Sequence, residues 1–172
     1  WPRLTILPPP AAPVIDGVLS PGEWDRTVVM TGFAPLGHAE LIVHQPIVHL
    51  AWTPEALLIA AQVPSPPGQK ARARATDFDG TVWADDSLEV HVDRGHQHKR
   101  NYQFIVNALA TKFDSLAGDK DFSAEWSAAA QNNPGQWTAE LAIPWTAMGG
   151  VPRAGDMDGF NIIVNSSYLG GT

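Results

Sequence analysis

The feature that most limits what this chain can fold into is a series of short apolar runs, at residues 39–43, 46–52, 56–63, 87–93, 101–107, 111–114, 135–143 and 159–165. Several alternate at period two, so one set of side chains faces a core and the other faces water or a ligand. In 87–93 the inner set is Leu88, Val90 and Val92, and the outer set is Glu89, His91 and Asp93. In 101–107 Tyr102, Phe104 and Val106 point inward, leaving Gln103, Ile105 and Asn107 outside. The loop 94–100 joins these two runs as a hairpin, which puts both outer sets on one surface. In 159–165 Phe160, Ile162 and Val164 face inward, with Asn161, Ile163 and Asn165 outside. Fifteen glycines and fifteen prolines lie mostly between the runs, where tight turns need them. Helical signals are confined to residues 54–56 and a turn near 145–148. The pattern predicts an all-β fold: a β-sandwich of two antiparallel sheets, jelly-roll or immunoglobulin-like, with a few short helical turns.

A chain of 172 residues is one ordinary domain, able to bury roughly 70% of its unfolded surface in a single core. Residues 1–13, with four prolines between Leu7 and Pro13, read as a proline-rich linker or N-terminal extension, and 14–172 as the sandwich domain. Asp16-Gly17 supplies a turn. Ser20 and Glu23 have capping-box spacing, and Trp24 would pin that turn to the core. Residues 1–4 contain no apolar signal segment, which points to a mature protein or an excised domain. No stretch approaches the eighteen apolar residues of a membrane span.

Charge and motifs narrow the function. A net charge of -7 argues against a nucleic-acid partner, whose phosphates need clustered Lys and Arg. The basic clusters, at residues 70–74 and 99–100, are short. Without cysteine there is no disulfide framework, thiolate metal site or Cys nucleophile. No nucleophile elbow, phosphate loop or dinucleotide fingerprint is present. Asp86 and Glu89 lie three apart on one strand, so they point to opposite faces and cannot form a glycosidase pair.

The seven tryptophans carry most of the remaining information. Trp24, Trp52, Trp137 and Trp145 sit beside inward-facing positions and read as core, and Trp126 suits either core or surface. Trp83, at a loop-to-strand junction, suits a ligand platform or sheet-edge packing. Glu89 alone reads first as a solvated strand carboxylate. Asp77, Asp79, Asp85 and Asp86 crowd one loop and the strand after it. Their oxygens suit Ca²⁺, and they equally suit turn residues that bond their own backbone. His91, His96 and His98 invite a transition-metal reading, but the last two belong to the polar hairpin tip.

Four segments in order resemble the family 9 carbohydrate-binding modules, β-sandwich domains attached to secreted glycan-active enzymes. They are Val14-Ile15-Asp16-Gly17 with Glu23-Trp24; the stretch from Val82 through Asp93; Tyr102 through Asn107; and Trp137 through Trp145 ahead of Gly159-Phe160-Asn161. The resemblance implies non-catalytic, extracellular binding of an oligosaccharide or polysaccharide such as xylan or cellulose. It also implies a covalently linked catalytic domain. Trp83 would stack on a sugar ring and Glu89 would bond its hydroxyls. Gln103 and Asn107 would share that surface, with His91 and Asn161 as neighbours. Structural calcium would sit at Asp77 and Asp79. Two departures stand out: the family's second stacking Trp, beyond the last shared strand, has no counterpart, and Ile105 replaces an outer-face Arg. The alternative is a structural domain that binds no sugar and leaves an apolar patch around Ile105 and Ile163.

Overall fold

The computed structural model describes residues 3–153 and 155–169. Among the described residues, nine strands form two antiparallel sheets. One sheet has the order β1-β2-β3-β8-β7, from Val28–Met30, Ile47–Trp52, Ala56–Pro64, Gln136–Pro144 and Ser127–Asn133. The other has the order β6-β5-β4-β9, from Lys112–Leu116, Tyr102–Asn107, Ser87–Asp93 and Gly159–Asn165. Three short 3-10 turns, Val82–Ala84, Arg94–His96 and Trp145–Met148, complete the regular structure among the described residues. The two-sheet sandwich is the one the alternating runs predict.

The period-two pattern builds the core between the sheets. Leu88, Val90, Val92, Phe104, Val106 and Ile162 of the smaller sheet meet Val48, Leu50, Leu57, Ile59, Trp137 and Leu141 of the larger one. The continuous apolar run of β3 means burial on both faces. Leu57, Ile59, Ala61 and Val63 enter the central core, while Ala56, Leu58 and Ala60 face outward and meet Trp24 and Ala51.

That outer face is covered by the segment 14–27. Glu140, fully buried on β8, accepts hydrogen bonds from the backbone N–H groups of Asp16 (3.0 Å) and Gly17 (2.8 Å) and from the Trp24 indole N–H (2.8 Å). Thr138 donates to the Gly17 carbonyl. Gly17 has φ +86°, and a Cβ there would lie 2.8 Å from the Ala130 backbone, so only glycine lets the segment come this close. Glu23 reaches back to the Ser20 N–H at 3.0 Å, as in a capping box, although only a turn follows. Trp24 therefore fastens the entry segment, as expected, but on the outer face rather than in the inter-sheet core.

One expected strand is absent and two strands occur where none is expected. Residues 39–43 form no strand, because the Gln45 side chain organises that loop, accepting from Gly32 and Phe33 and donating to the carbonyls of Phe33 and Ile42. Strand β7, Ser-Ala-Ala-Ala-Gln-Asn-Asn, has little intrinsic strand preference and is imposed by its seven-residue pairing with β8. Strand β1 has only three residues and pairs with β2 at the sheet edge.

Candidate functional site

Register across the smaller sheet decides which outer side chains meet. Phe113, Ile105, Glu89 and Ile163 lie in one row across β6, β5, β4 and β9; Ser115, Gln103, His91 and Asn161 lie in the next. The segment between β3 and β4 crosses part of this face. Its Val82 and Ala75 pack on Phe113 and Ile105, which becomes fully buried. The patch expected around Ile105 and Ile163 is therefore absent: Ile105 has no exposed surface, and Ile163 alone is 39% exposed.

Trp83 stands in the 3-10 turn Val82–Ala84, 38% exposed. Its ring meets Phe113 edge-on with centroids 5.1 Å apart, and the Lys120 ammonium lies 4.5 Å over the indole. The ammonium is thus held against the ring's π system. Trp83 lines a groove of about 500 Å³ with Arg72, Arg74, Ala75, Thr81, Ala84, Asp85, Asp86, Asn165, Ser166 and Ser167.

Glu89 is the polar centre of the sheet face and is largely buried. One oxygen accepts from Asn165 Nδ2 at 2.6 Å, and the other from Gln103 Nε2 at 3.0 Å and His91 Nε2 at 3.3 Å. Asn101 Nδ2 lies 3.0 Å from His91 Nδ1, so the ring is held with Nε2 toward Glu89. Gln103 is oriented in turn by the Ser115 hydroxyl. Burial by itself would push the Glu89 carboxyl up, but the bonds from His91, Asn165 and Gln103, with the attraction of His91, hold it below its ordinary value. Asn165 belongs to both regions, since it lines the groove and bonds Glu89. The alternating pattern placed Asn165 outside without revealing that role.

A carboxyl held below its ordinary value stabilises the folded state fully above pH 4.5, and that contribution is lost as the pH falls through the lowered folded value. Urea midpoints of the wild type and Glu89→Gln, followed from neutral pH to about pH 3, are expected to converge on acidification. A gap independent of pH would show that the carboxylate charge does not support this cluster.

The structure gives Asn107 a different place from the exposed one expected. Its side chain is fully buried, with Oδ1 accepting from Leu109 and Thr111 and Nδ2 donating to the Ala75 carbonyl and Asp85. All four bonding positions of the amide are filled, so it holds the covering segment rather than a ligand. Trp126 is buried, its N–H donating to Asp114 at 2.8 Å. Trp137 and Trp145 are buried in the core and Trp52 packs against it; Trp1 lies outside the described residues.

The acidic loop residues bond backbone. Asp86 accepts from the N–H groups of Arg72 and Ser167, Asp85 from Ala75, and Asp79 from Asp114. The Asp77 carbonyl closes a turn with the Gly80 N–H. Ca²⁺ takes six to eight oxygens, and among the described residues no three His, Asp or Glu side chains converge as ligands. The Asp79 carboxylate thus serves the neighbouring strand, and no step below involves calcium. The His96 and His98 rings approach to 4.4 Å in a turn where both residues have positive φ, with an Asp93 carboxylate oxygen 3.9 Å from His98 Nδ1, and among the described residues no three His, Asp or Glu side chains are grouped to hold a metal ion.

Comparison with known proteins places this geometry. The family model described as carbohydrate family 9 binding domain-like matches residues 15–172. A family 9 carbohydrate-binding module from Caldicellulosiruptor kristjanssonii, solved in complex with glucose, is 21% identical, with a TM-score of 0.68 over 94% of this chain and 78% of that one. A structure of such a module from the same organism in complex with cellotriose is 22% identical, with a TM-score of 0.68 over 94% of this chain and 76% of that one. No curated protein matches the chain significantly. With the family model covering all but the first fourteen residues, the chain belongs to the carbohydrate family 9 binding domain-like family.

Proposed function

We propose that this chain binds carbohydrate without catalysis, seating one sugar ring on the exposed part of Trp83 and directing its hydroxyls toward the polar groups around Asn165 and Glu89. The observation that carries this reading is a part-exposed indole in a groove lined by both apolar and polar side chains, Arg72, Arg74, Asp85 and Asn165 among them. A pyranose has an apolar face of C–H groups and a rim of hydroxyls, so a flat aromatic beside amides and carboxylates matches both. The complexes of the two structural relatives with glucose and cellotriose support the ligand class. The glycan would be of the xylan or cellulose kind, and the setting an extracellular one, as a module joined to a glycan-active enzyme. Among the described residues no helix is long and apolar enough to cross a membrane.

Stacking on one platform buries about 100 Å² of apolar surface, contributing about 2.5 kcal/mol at roughly 25 cal/mol/Å². Titration calorimetry against cello- and xylo-oligosaccharides is expected to show modest affinity that falls about a hundredfold in Trp83→Ala. No heat with any neutral or acidic sugar, or binding unchanged in the variant, would overturn the assignment.

A further inference from the structure

The basic run at residues 70–74 has no part in the function proposed so far, yet it forms one wall of the groove. Residues 71–75 alternate, with Ala71, Ala73 and Ala75 turned toward the protein and Arg72 and Arg74 exposed into the groove. The segment is fixed along its length. Asn132 bonds the Ala71 N–H and carbonyl, Asp86 takes the Arg72 N–H and donates its own N–H to the Arg72 carbonyl, and Asp85 takes the Ala75 N–H. Asn107 and Thr111 both donate to the Ala75 carbonyl. Two guanidinium groups therefore emerge on one side of a pinned, extended backbone, from Cα atoms roughly 7 Å apart.

Neither guanidinium has a hydrogen-bond or ion-pair partner among the described residues, in a chain that carries 18 acidic side chains against 11 basic ones. The acidic neighbours do not answer them. Asp86 is buried, with its oxygens taken by the Arg72 and Ser167 N–H groups and the Ser167 hydroxyl, and Asp85 Oδ2 is taken by Ala75 and Asn107. By contrast, Arg94 is paired with Asp158 at 3.0 Å. A planar guanidinium offers parallel N–H donors matched to a carboxylate. A sugar stacked on Trp83 in the same groove would bring a ring substituent to these groups.

We infer that the preferred ligand is an acidic glycan, with a uronic-acid carboxylate held by Arg72 and Arg74 while its ring, or the adjoining one, stacks on Trp83. The inference rests on the sugar-binding reading above and adds the charge class of the sugar. It also offers a substitute for the outer-face arginine that Ile105 replaces, because part of the affinity comes from charge.

The test compares glucuronate- and galacturonate-containing oligosaccharides with their methyl esters, which keep the ring and remove the charge. Calorimetry at low ionic strength is expected to show about tenfold tighter binding of at least one acid than of its ester, with the ratio falling as salt rises. In the double variant Arg72→Gln/Arg74→Gln the acid-to-ester ratio should collapse to about one, with the melting temperature reporting that the variant is folded. Esters or neutral sugars bound as tightly as the acids would overturn the acidic preference and leave the sugar-binding reading standing. A ratio that survives in the double variant would overturn the role of the two arginines. Failure of every neutral and acidic sugar to bind would overturn both readings.

Discussion

Replacing Glu140 by alanine is expected to lower the unfolding free energy by about 4 kcal/mol, because three donors, two of them buried, lose their acceptor at about 1–3 kcal/mol each, partly offset by relief of a buried charge. The donors are the N–H groups of Asp16 and Gly17 and the indole N–H of Trp24. Their loss frees the segment that covers Ala56, Leu58 and Ala60. Glu140→Gln should lose about half as much, since its carbonyl keeps an acceptor while its NH2 meets N–H groups it cannot bond. Burial raises the Glu140 carboxyl above its ordinary value. For a carboxyl shifted in that direction, the stability it contributes is full below pH 4.5 and declines as the pH rises through the raised folded value. Thermal unfolding checks the main effect: at about 2–4 °C per kcal/mol for a domain of this size, Glu140→Ala should melt about 12 °C lower. A melting temperature unchanged within about 2 °C would mean that the entry segment contributes nothing to the folded state.

Asn107→Ala is expected to cost about 3 kcal/mol, for a reason that also reaches the groove. The Leu109 and Thr111 N–H groups lose their acceptor, and the Ala75 carbonyl keeps only Thr111. Ala75 ends the stretch that presents Arg72 and Arg74, so sugar affinity should fall with stability even though Asn107 has no exposed atoms. Asn107→Asp keeps the acceptor for the two N–H groups but sets a carboxylate against Asp85, and it too should be destabilised. Denaturant unfolding alongside sugar titration separates the roles. A variant as stable as wild type with weakened binding would return Asn107 to the ligand surface.

The sorting of side chains by strand face was legible where the alternation was strict. Leu88, Val90, Val92, Phe104, Val106 and Ile162 enter the core as their positions require, and Glu89, His91 and Gln103 share the opposite face. Asn107 and Ile105 lie on that same outer face yet are buried, because alternation tells which side of a sheet a residue is on and not whether another segment covers that side. The cover comes from residues 71–84, which form no strand and lie outside every run read as one. For the same reason Trp24 was legible as an anchor, but its partner Glu140, distant in sequence, was not.

The sequence by itself determined a two-sheet sandwich, a common outer face for Glu89 and Gln103, and Trp83 at the edge of the strand that carries Glu89. These follow from the two-residue period of a β-strand and from turn chemistry, both local properties. Only the tertiary structure decided which groups are available to a ligand. It buried Asn107 and Ile105, surrounded Glu89 with three hydrogen-bond partners, set Lys120 over Trp83, and brought Arg72 and Arg74 into the groove beside that ring. Access and charge pairing depend on contacts between segments far apart in the chain, and no local pattern of residues encodes them.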